Sequence, residues 1–160
     1  MFTGSEIVEI LEQAGVTHVV WLPDSTLGAW EEDLESSSQL RLVRVCREGE
    51  AWPLAAGLLV AGQSPIVMMQ TTGLFESGDA MRNVLFDLRL PVFAVIGARN
   101  WLITASGDSA KRFTEAIVQA WRLNCVLIAQ EADKPKLAEH YRACTQASRA
   151  GVVLLAEGSG

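Results

Sequence analysis

Short apolar segments alternate with helix-like segments along nearly the whole chain, and this alternation restricts the possible folds more than any other feature. Six segments contain mainly apolar and β-branched residues with little polar alternation: 17–22, 40–46, 65–70, 91–96, 125–128 and 152–156. Runs of this kind are typical of strands that are buried on both faces of a sheet. Because a helical pattern separates each run from the next, we predict an α/β fold. Its form is a three-layer sandwich in which helices cover both faces of a mostly parallel six-stranded sheet.

The helices are predicted from apolar residues that recur three or four positions apart and from residues that cap helix ends. We place six helices at about 5–14, 25–35, 47–62, 76–88, 111–122 and 134–149. Thr3 or Ser5 is expected to cap the first helix, and Asp24 or Ser25 the second. Pro53 fits the third helix if it lies in the first turn, where its missing N–H is not needed. The segment 100–110 has weak periodicity and is predicted to be a loop.

Length and charge restrict the classes of function. A chain of 160 residues is expected to form one domain, residues 1–160. The net charge of −6 argues against a nucleic-acid-binding surface, because phosphate contacts need clustered Lys and Arg. No apolar run approaches the ~20 residues of a membrane span. The first residues show no basic segment followed by an apolar one, so a cytoplasmic protein is expected.

The residue types that bind metals or carry nucleophilic chemistry are few and dispersed. Three cysteines and two histidines are widely spaced, so we expect reduced thiols and no metal site of the chain's own. The common glycine-rich phosphate loops and the Gly-x-Ser-x-Gly motif of hydrolases are absent. Five tryptophans are many for this length, and some are expected to face a partner.

The segment 47–62 opens with two carboxylates, Glu48 and Glu50, and continues as a helix of small residues. Negative charge near a helix N-terminus is favourable by roughly 0.3–1 kcal/mol, so dipole complementation alone can explain both acids. The segment also follows a predicted strand, and parallel sheets bind ligands beyond the carboxyl ends of their strands. The residue types by themselves favour the interpretation that the two acids only stabilise the N-terminus of the helix.

Four segments at predicted strand ends carry a family resemblance. They are Leu22-Pro23-Asp24-Ser25, the segment from Arg47-Glu48-Gly49-Glu50-Ala51 to Gly57, the segment Pro65-Ile66-Val67-Met68-Met69-Gln70-Thr71-Thr72-Gly73-Leu74, and Leu90-Pro91-Val92-Phe93. In this order they resemble the pyrimidine-binding (PYR) domain of thiamine diphosphate enzymes. The likeness is greatest to the alpha subunits of sulfopyruvate decarboxylases and the N-terminal part of phosphonopyruvate decarboxylases, and it runs from about residue 5 to 99. The resemblance therefore implies the thiamine diphosphate-binding fold.

The resemblance implies a catalytic role for Glu48. In this family a glutamate hydrogen-bonds the aminopyrimidine ring of the cofactor and lies nine residues before the glycine of the following helix. Counting back from Gly57 gives Glu48, with Glu50 as the alternative. The shared proton favours the ring tautomer that can deprotonate the thiazolium ring, which stores electrons as carbon dioxide leaves. The implied activity is thiamine diphosphate-dependent decarboxylation of a small 2-oxo acid of the sulfopyruvate or phosphonopyruvate type.

Further site residues are implied by the same match. They are Gln70, Thr71, Thr72 and Gly73 for the cofactor, and Asp24 and Ser25 for the substrate. Each loop has a structural alternative, because Thr, Asp and Ser also cap helices. The chain departs from the family where Phe75 and Glu76 replace a small and a neutral residue. It departs again in the segment 100–112, which lacks the histidine that relatives often carry there.

The resemblance also implies a partner subunit. Such enzymes hold Mg²⁺ and the diphosphate in a second domain with a Gly-Asp-Gly…Asn motif, whereas this chain has only Gly78-Asp79-Ala80 and Gly107-Asp108-Ser109. A separate beta subunit with the diphosphate-binding (PP) domain, in an α₂β₂ or larger assembly, is therefore expected. Two alternatives stay open. One is a carboligase subunit that uses the same activated cofactor, and the other is a non-catalytic scaffold or regulatory α/β subunit.

Overall fold

A parallel β-sheet forms the centre of the computed structural model, which describes residues 2–158. Its six strands are β1 (His18–Trp21), β2 (Arg41–Arg44), β3 (Pro65–Gln70), β4 (Phe93–Ala98), β5 (Cys125–Ile128) and β6 (Gly151–Ala156). The strands lie in the order β2-β1-β3-β4-β6-β5, and each neighbouring pair is parallel. The predicted α/β fold with a six-stranded parallel sheet is therefore confirmed. Residues 1, 159 and 160 of the predicted domain lie outside the described residues.

Helices cover both faces of the sheet. They are α1 (Gly4–Gln13), α2 (Glu31–Ser36), α3 (Glu48–Val60), α4 (Thr71–Glu76), α5 (Gly78–Arg82), α6 (Ser109–Ala120) and α7 (Pro135–Gln146). Side chains of α1, α2 and α7 pack into the core on one face, and those of α3, α4 and α5 into the core on the other. Across residues 2–158, no helix combines the length and the apolar character that crossing a bilayer requires.

The ends of several helices differ from the prediction. The first helix is capped by Thr3, whose hydroxyl accepts the amide N–H of Glu6 at 3.2 Å. The second begins only at Glu31, after a 3-10 turn at Gly28–Trp30. The last ends at Gln146 instead of residue 149. Asp108 starts α6 two residues early, because its carboxylate accepts the amide N–H of Ala110 at 2.9 Å.

Two expectations about the helices that flank the third strand are wrong. The helix predicted at 76–88 begins at Thr71 and consists of three pieces, α4, α5 and a π-helical turn at Asn83–Asp87. The break falls at Ser77, whose buried hydroxyl accepts a hydrogen bond from Trp52 Nε1 at 2.9 Å. Pro53 is the sixth residue of α3, so it lies in the second turn and not in the first.

Two of the five tryptophans are exposed enough to face a partner, as some of them were expected to do. Three of them are in the core, at 5% exposure or less: Trp21, Trp30 and Trp52. Trp101 and Trp121 are half-buried. The large apolar residues that are most exposed are instead Val60 and Leu88, at 74% and 63%.

Candidate active site

β2 and β3 lie on opposite sides of β1, and this change in strand order defines a candidate crevice beyond the carboxyl ends of β1 and β3. β1 pairs with β2 on one side and with β3 on the other. Parallel sheets bind ligands at such a switch point, beyond the carboxyl ends of the strands. The residues that the sequence nominated lie in the loop after β1, at the start of α3 and at the junction of β3 with α4. The candidate site is therefore built from residues 22–27, 46–50 and 70–76.

Glu48 is the first residue of α3, and its side chain lies against Gly73. A Cβ atom added to Gly73 would be 2.5 Å from Glu48 Cγ and 2.9 Å from Oε1. These distances are far below van der Waals contact, so a side chain at position 73 would displace Glu48. Glu48 is half-buried, and its carboxylate forms no hydrogen bond or ion pair within residues 2–158. The structure thus brings together Glu48 and Gly73 and leaves the carboxylate free to bind a ligand.

Glu50 has a structural task that Glu48 lacks. Its Oε2 accepts the backbone N–H groups of Cys46 at 3.0 Å and of Arg47 at 3.2 Å. These contacts satisfy amides ahead of the first turn of α3, as expected of an acid three residues into a helix. The dipole and capping interpretation of the acidic pair therefore applies to Glu50.

The junction between β3 and α4 contains a buried acceptor without a partner among the described residues. Gln70 Oε1 is buried and makes no hydrogen bond to another residue of the described chain. Buried polar atoms are nearly always hydrogen-bonded, so this oxygen is suited to accept an N–H from a ligand. Thr71 is fully buried and donates its hydroxyl to the carbonyl of Gly97 at 3.0 Å, whereas Thr72 is exposed. Thr71 thus ties the loop to β4, and Thr72 faces solvent in the single chain.

Asp24 shapes the loop that follows β1. Its carboxylate accepts the backbone N–H groups of Thr26 at 2.8 Å and Leu27 at 2.9 Å, and the indole N–H of Trp21 at 3.2 Å. These bonds fit its alternative role as a cap, although the helix that follows starts later than predicted. Ser25 is exposed beside it and makes no side-chain hydrogen bond within the described residues.

Glu76, which departs from the family pattern, links the beginning of α3 to the end of α4. Its carboxylate forms an ion pair with Arg47 and accepts the backbone N–H of Gly49 at 2.8 Å. The hydrogen bond from Arg47, aided by that from Gly49, lowers the pKa of Glu76, and the same contact raises the pKa of Arg47. Sequence reasoning missed this link, since the only signal is a pair of opposite charges 29 residues apart.

The segment after β4 is organised by carboxylates that are already occupied. Asn100 has a left-handed backbone (φ 56°) and donates its side-chain N–H to Asp108 at 2.7 Å. The backbone N–H of Ala110, followed by Asn100, lowers the pKa of Asp108. Glu157 accepts the backbone N–H of Asn100 at 3.1 Å and thereby ties this segment to the end of β6. Within residues 2–158, no three acidic, histidine or cysteine side chains are grouped as metal ligands.

The fold and the site together define an α/β domain with a candidate ligand site at the carboxyl ends of a parallel sheet, and comparison with known proteins identifies its family. Residues 1–101 match the family described as the thiamine pyrophosphate enzyme, N-terminal TPP binding domain. The match covers more than half of the chain, so the protein belongs to this family. Thiamine pyrophosphate is another name for thiamine diphosphate, and the resemblance inferred from the sequence is confirmed.

One curated protein and one solved structure are similar to the chain. The alpha subunit of sulfopyruvate decarboxylase from Methanothermobacter thermautotrophicus is 26% identical over 89 residues, which are 56% of this chain and 54% of the relative. The crystal structure of benzoylformate decarboxylase from Polynucleobacter necessarius superimposes with a TM-score of 0.75 and 21% identity. The superposition covers 98% of this chain but only 30% of that enzyme. The second likeness establishes the fold alone, and the chain matches about half the length of the first relative.

Proposed function

We propose that the chain is the pyrimidine-binding subunit of a heteromeric thiamine diphosphate-dependent 2-oxo acid decarboxylase of the sulfopyruvate or phosphonopyruvate type. In this proposal residues 1–160 form one PYR domain, which is active only with a partner subunit. The observation that carries the proposal is the free carboxylate of Glu48, which lies against Gly73 at the mouth of the crevice.

The side chains of the crevice fit an aminopyrimidine ring. Such a ring offers N–H donors and a basic ring nitrogen, and the crevice offers the carboxyl group of Glu48 and the buried, unpaired Gln70 Oε1. Gly73 leaves room for the Glu48 side chain, because it has no Cβ. We assign the cofactor contacts to Glu48 and to the loop Gln70-Thr71-Thr72-Gly73. We assign the substrate contacts to Asp24 and Ser25.

In this reaction the protein positions the cofactor and shares a proton with its pyrimidine ring. When bound, thiamine diphosphate supplies a thiazolium carbon that accepts the electrons left behind as carbon dioxide departs. Glu48 shares its proton with the pyrimidine ring nitrogen, a form of general acid–base catalysis typically worth about 10²–10⁴-fold in rate. Glu50 cannot replace it without releasing two backbone amides. Arg47 and Glu76 hold the start of α3 against α4, and so fix the position of Glu48.

The diphosphate and Mg²⁺ are assigned to a partner. Asp108, in one of the two Gly-Asp pairs of the sequence, already caps α6 and binds the side chains of Asn100 and Arg99. The related sulfopyruvate decarboxylase chain is named as a subunit, and the matching family is named as an N-terminal domain. The first name supports a separate beta subunit with the diphosphate-binding domain, and we propose an α₂β₂ or larger assembly.

The test is reconstitution with a candidate partner, the product of a neighbouring gene that encodes a Gly-Asp-Gly…Asn chain. The two proteins are mixed with thiamine diphosphate and Mg²⁺, and carbon dioxide release is followed from sulfopyruvate, phosphonopyruvate and pyruvate. We expect release from at least one of these substrates, and its loss with Glu48→Gln but not with Glu50→Gln. Cofactor binding without carbon dioxide release, but with ligation to an added aldehyde, would favour the carboligase alternative. A mixed complex that neither binds the cofactor nor turns over would instead favour the scaffold alternative.

A further inference from the structure

A small pocket lies at the edge of the sheet opposite the candidate active site. Its volume is about 260 Å³, and its lining includes residues just before β4 and β5 and the first residues of β6. Three arginines line it: Arg89, Arg122 and Arg149. They are far apart in the sequence, and only the ends of three helical segments bring them together. Such convergence of like charges calls for an explanation in a chain whose net charge is −6.

The three guanidinium groups have no anionic partner among residues 2–158. None of them forms an ion pair or a side-chain hydrogen bond within residues 2–158, whereas Arg44 and Arg82 each bind two carboxylates. Among the residues that line the pocket there is no Asp or Glu. The positive charge is therefore not neutralised locally. Guanidinium forks bind phosphate and carboxylate groups with paired hydrogen bonds, so the arrangement favours an anionic ligand.

The backbone at the pocket supports a role beyond capping helices. Arg89 and Arg122 have left-handed backbones, with φ of 55° and 50°, and Ser148 has a φ of 48°. Glycine and asparagine are the residues that most readily adopt this conformation. A cation near a helix C-terminus is favourable, which accounts for one arginine at each end. The favourable charge at a helix C-terminus does not require the arginines to line one cavity. It also does not favour arginine at a position with a left-handed backbone.

The remaining walls restrict the size and character of the ligand. Phe86 is 43% exposed, lines the pocket and stacks on Trp121 with the ring centroids 6.2 Å apart. The hydroxyl of Ser148 is available as a further donor. Pockets for drug-sized ligands usually enclose about 300–1,000 Å³, so this one suits a smaller molecule. We propose that Arg89, Arg122 and Arg149 form a binding site for a small multivalent anion that carries phosphate or carboxylate groups. The site is independent of the proposed catalytic function.

Isothermal titration calorimetry of the purified chain tests this site, with inorganic pyrophosphate and citrate as the probes. We expect saturable 1:1 binding of at least one probe that weakens as salt is raised, because exposed charges are screened. The double variant Arg122→Gln/Arg149→Gln should raise the Kd by roughly tenfold or more. The matched control is Arg41→Gln, which removes one charge from edge strand β2 and should change the Kd by less than about twofold. Glu48→Gln should leave the Kd unchanged, which separates this site from the cofactor crevice.

The two probes distinguish the two kinds of anion. Binding of pyrophosphate alone would identify a phosphate site, and binding of citrate alone a carboxylate site. The proposal is overturned if neither probe gives saturable binding, or if the control weakens binding as much as the double variant does. It is also overturned if the double variant binds as tightly as the original chain. Circular dichroism of each variant shows that the fold is retained before binding is compared.

Discussion

Replacing Gly73 with alanine should displace Glu48 while leaving the fold intact. The added methyl carbon would lie 2.5 Å from Cγ and 3.0 Å from Cδ of Glu48. Carbon atoms in favourable contact are about 3.5–4.0 Å apart, so Cγ must move by roughly 1 Å or more. Because Cγ is close to the backbone, this movement requires another rotamer or a distorted one. Distortion of about 30° in a side-chain torsion costs about 0.5–1.5 kcal/mol.

The expected effects on stability and on activity are very different. Gly73 lies inside α4, where alanine is favoured over glycine by about 0.8–1 kcal/mol, so the two contributions nearly cancel. The free energy of unfolding, measured by urea denaturation of the chain alone, should change by less than about 1 kcal/mol. A misplacement of about 1 Å can reduce the rate by about 10²-fold. We therefore expect kcat for carbon dioxide release by the reconstituted complex to fall about 100-fold.

Gly57→Ala is the matched control, because a Cβ at this position in α3 would meet nothing within 4 Å. It should stabilise the chain by up to about 1 kcal/mol and leave kcat unchanged. If Gly73→Ala kept kcat within about threefold of the original, the position of Glu48 against Gly73 would not contribute to catalysis. A loss of several kcal/mol in stability would also refute the reasoning, since the effect on activity would then follow from unfolding.

Three further predictions concern neighbouring groups. Glu50→Ala removes the acceptor of two backbone N–H groups and should cost about 0.5–2 kcal/mol, which urea denaturation detects; an unchanged stability would mean that the cap is unimportant. The lowered pKa of Glu76 means that its contact with Arg47 stabilises the fold above the ordinary carboxyl pKa, near 4.3, and that this contribution is lost as the pH falls through the lowered pKa. Glu76→Gln should therefore flatten the acid side of the stability profile, and an identical profile would contradict this. Burial raises the pKa of Cys125 to about 11, so a thiol reagent at pH 8 should modify the exposed Cys46 rapidly and the half-buried Cys125 far more slowly. Rapid labelling that persists in Cys46→Ser would contradict the assignment.

The sheet could be predicted from the sequence because its strands are uniform apolar runs. The bounds of β3 and β5 agree with the prediction at every residue, since both are short runs of apolar residues between turn signals. The helix after β3 was misplaced because Thr71, Thr72 and Gly73 have low intrinsic helix propensity and resemble a loop. Tertiary contacts override that preference here: Thr71 bonds to the carbonyl of Gly97, and Gly73 accommodates Glu48.

The candidate site was predictable only where a single segment carries the signal. Glu48 and Glu50 appear together in the sequence, but only the structure shows that Glu50 binds the amides of Cys46 and Arg47. The link between Arg47 and Glu76 joins the start of α3 to the end of α4, so no local pattern could reveal it. The arginine pocket was invisible for the same reason, because its members come from three separate helix ends.

The central claim, that Glu48 activates the cofactor, is tested most directly by deuterium exchange at the thiazolium C2 position of bound thiamine diphosphate. The exchange rate is measured by NMR in the reconstituted complex and in its Glu48→Gln and Glu50→Gln variants. Glutamine at position 50 keeps an oxygen that can accept the amides of Cys46 and Arg47, so that variant serves as the matched control. We expect Glu48→Gln to slow exchange by at least about 100-fold and Glu50→Gln to change it by less than about threefold. Exchange that is unaffected by Glu48→Gln, or that slows only with Glu50→Gln, would contradict the claim.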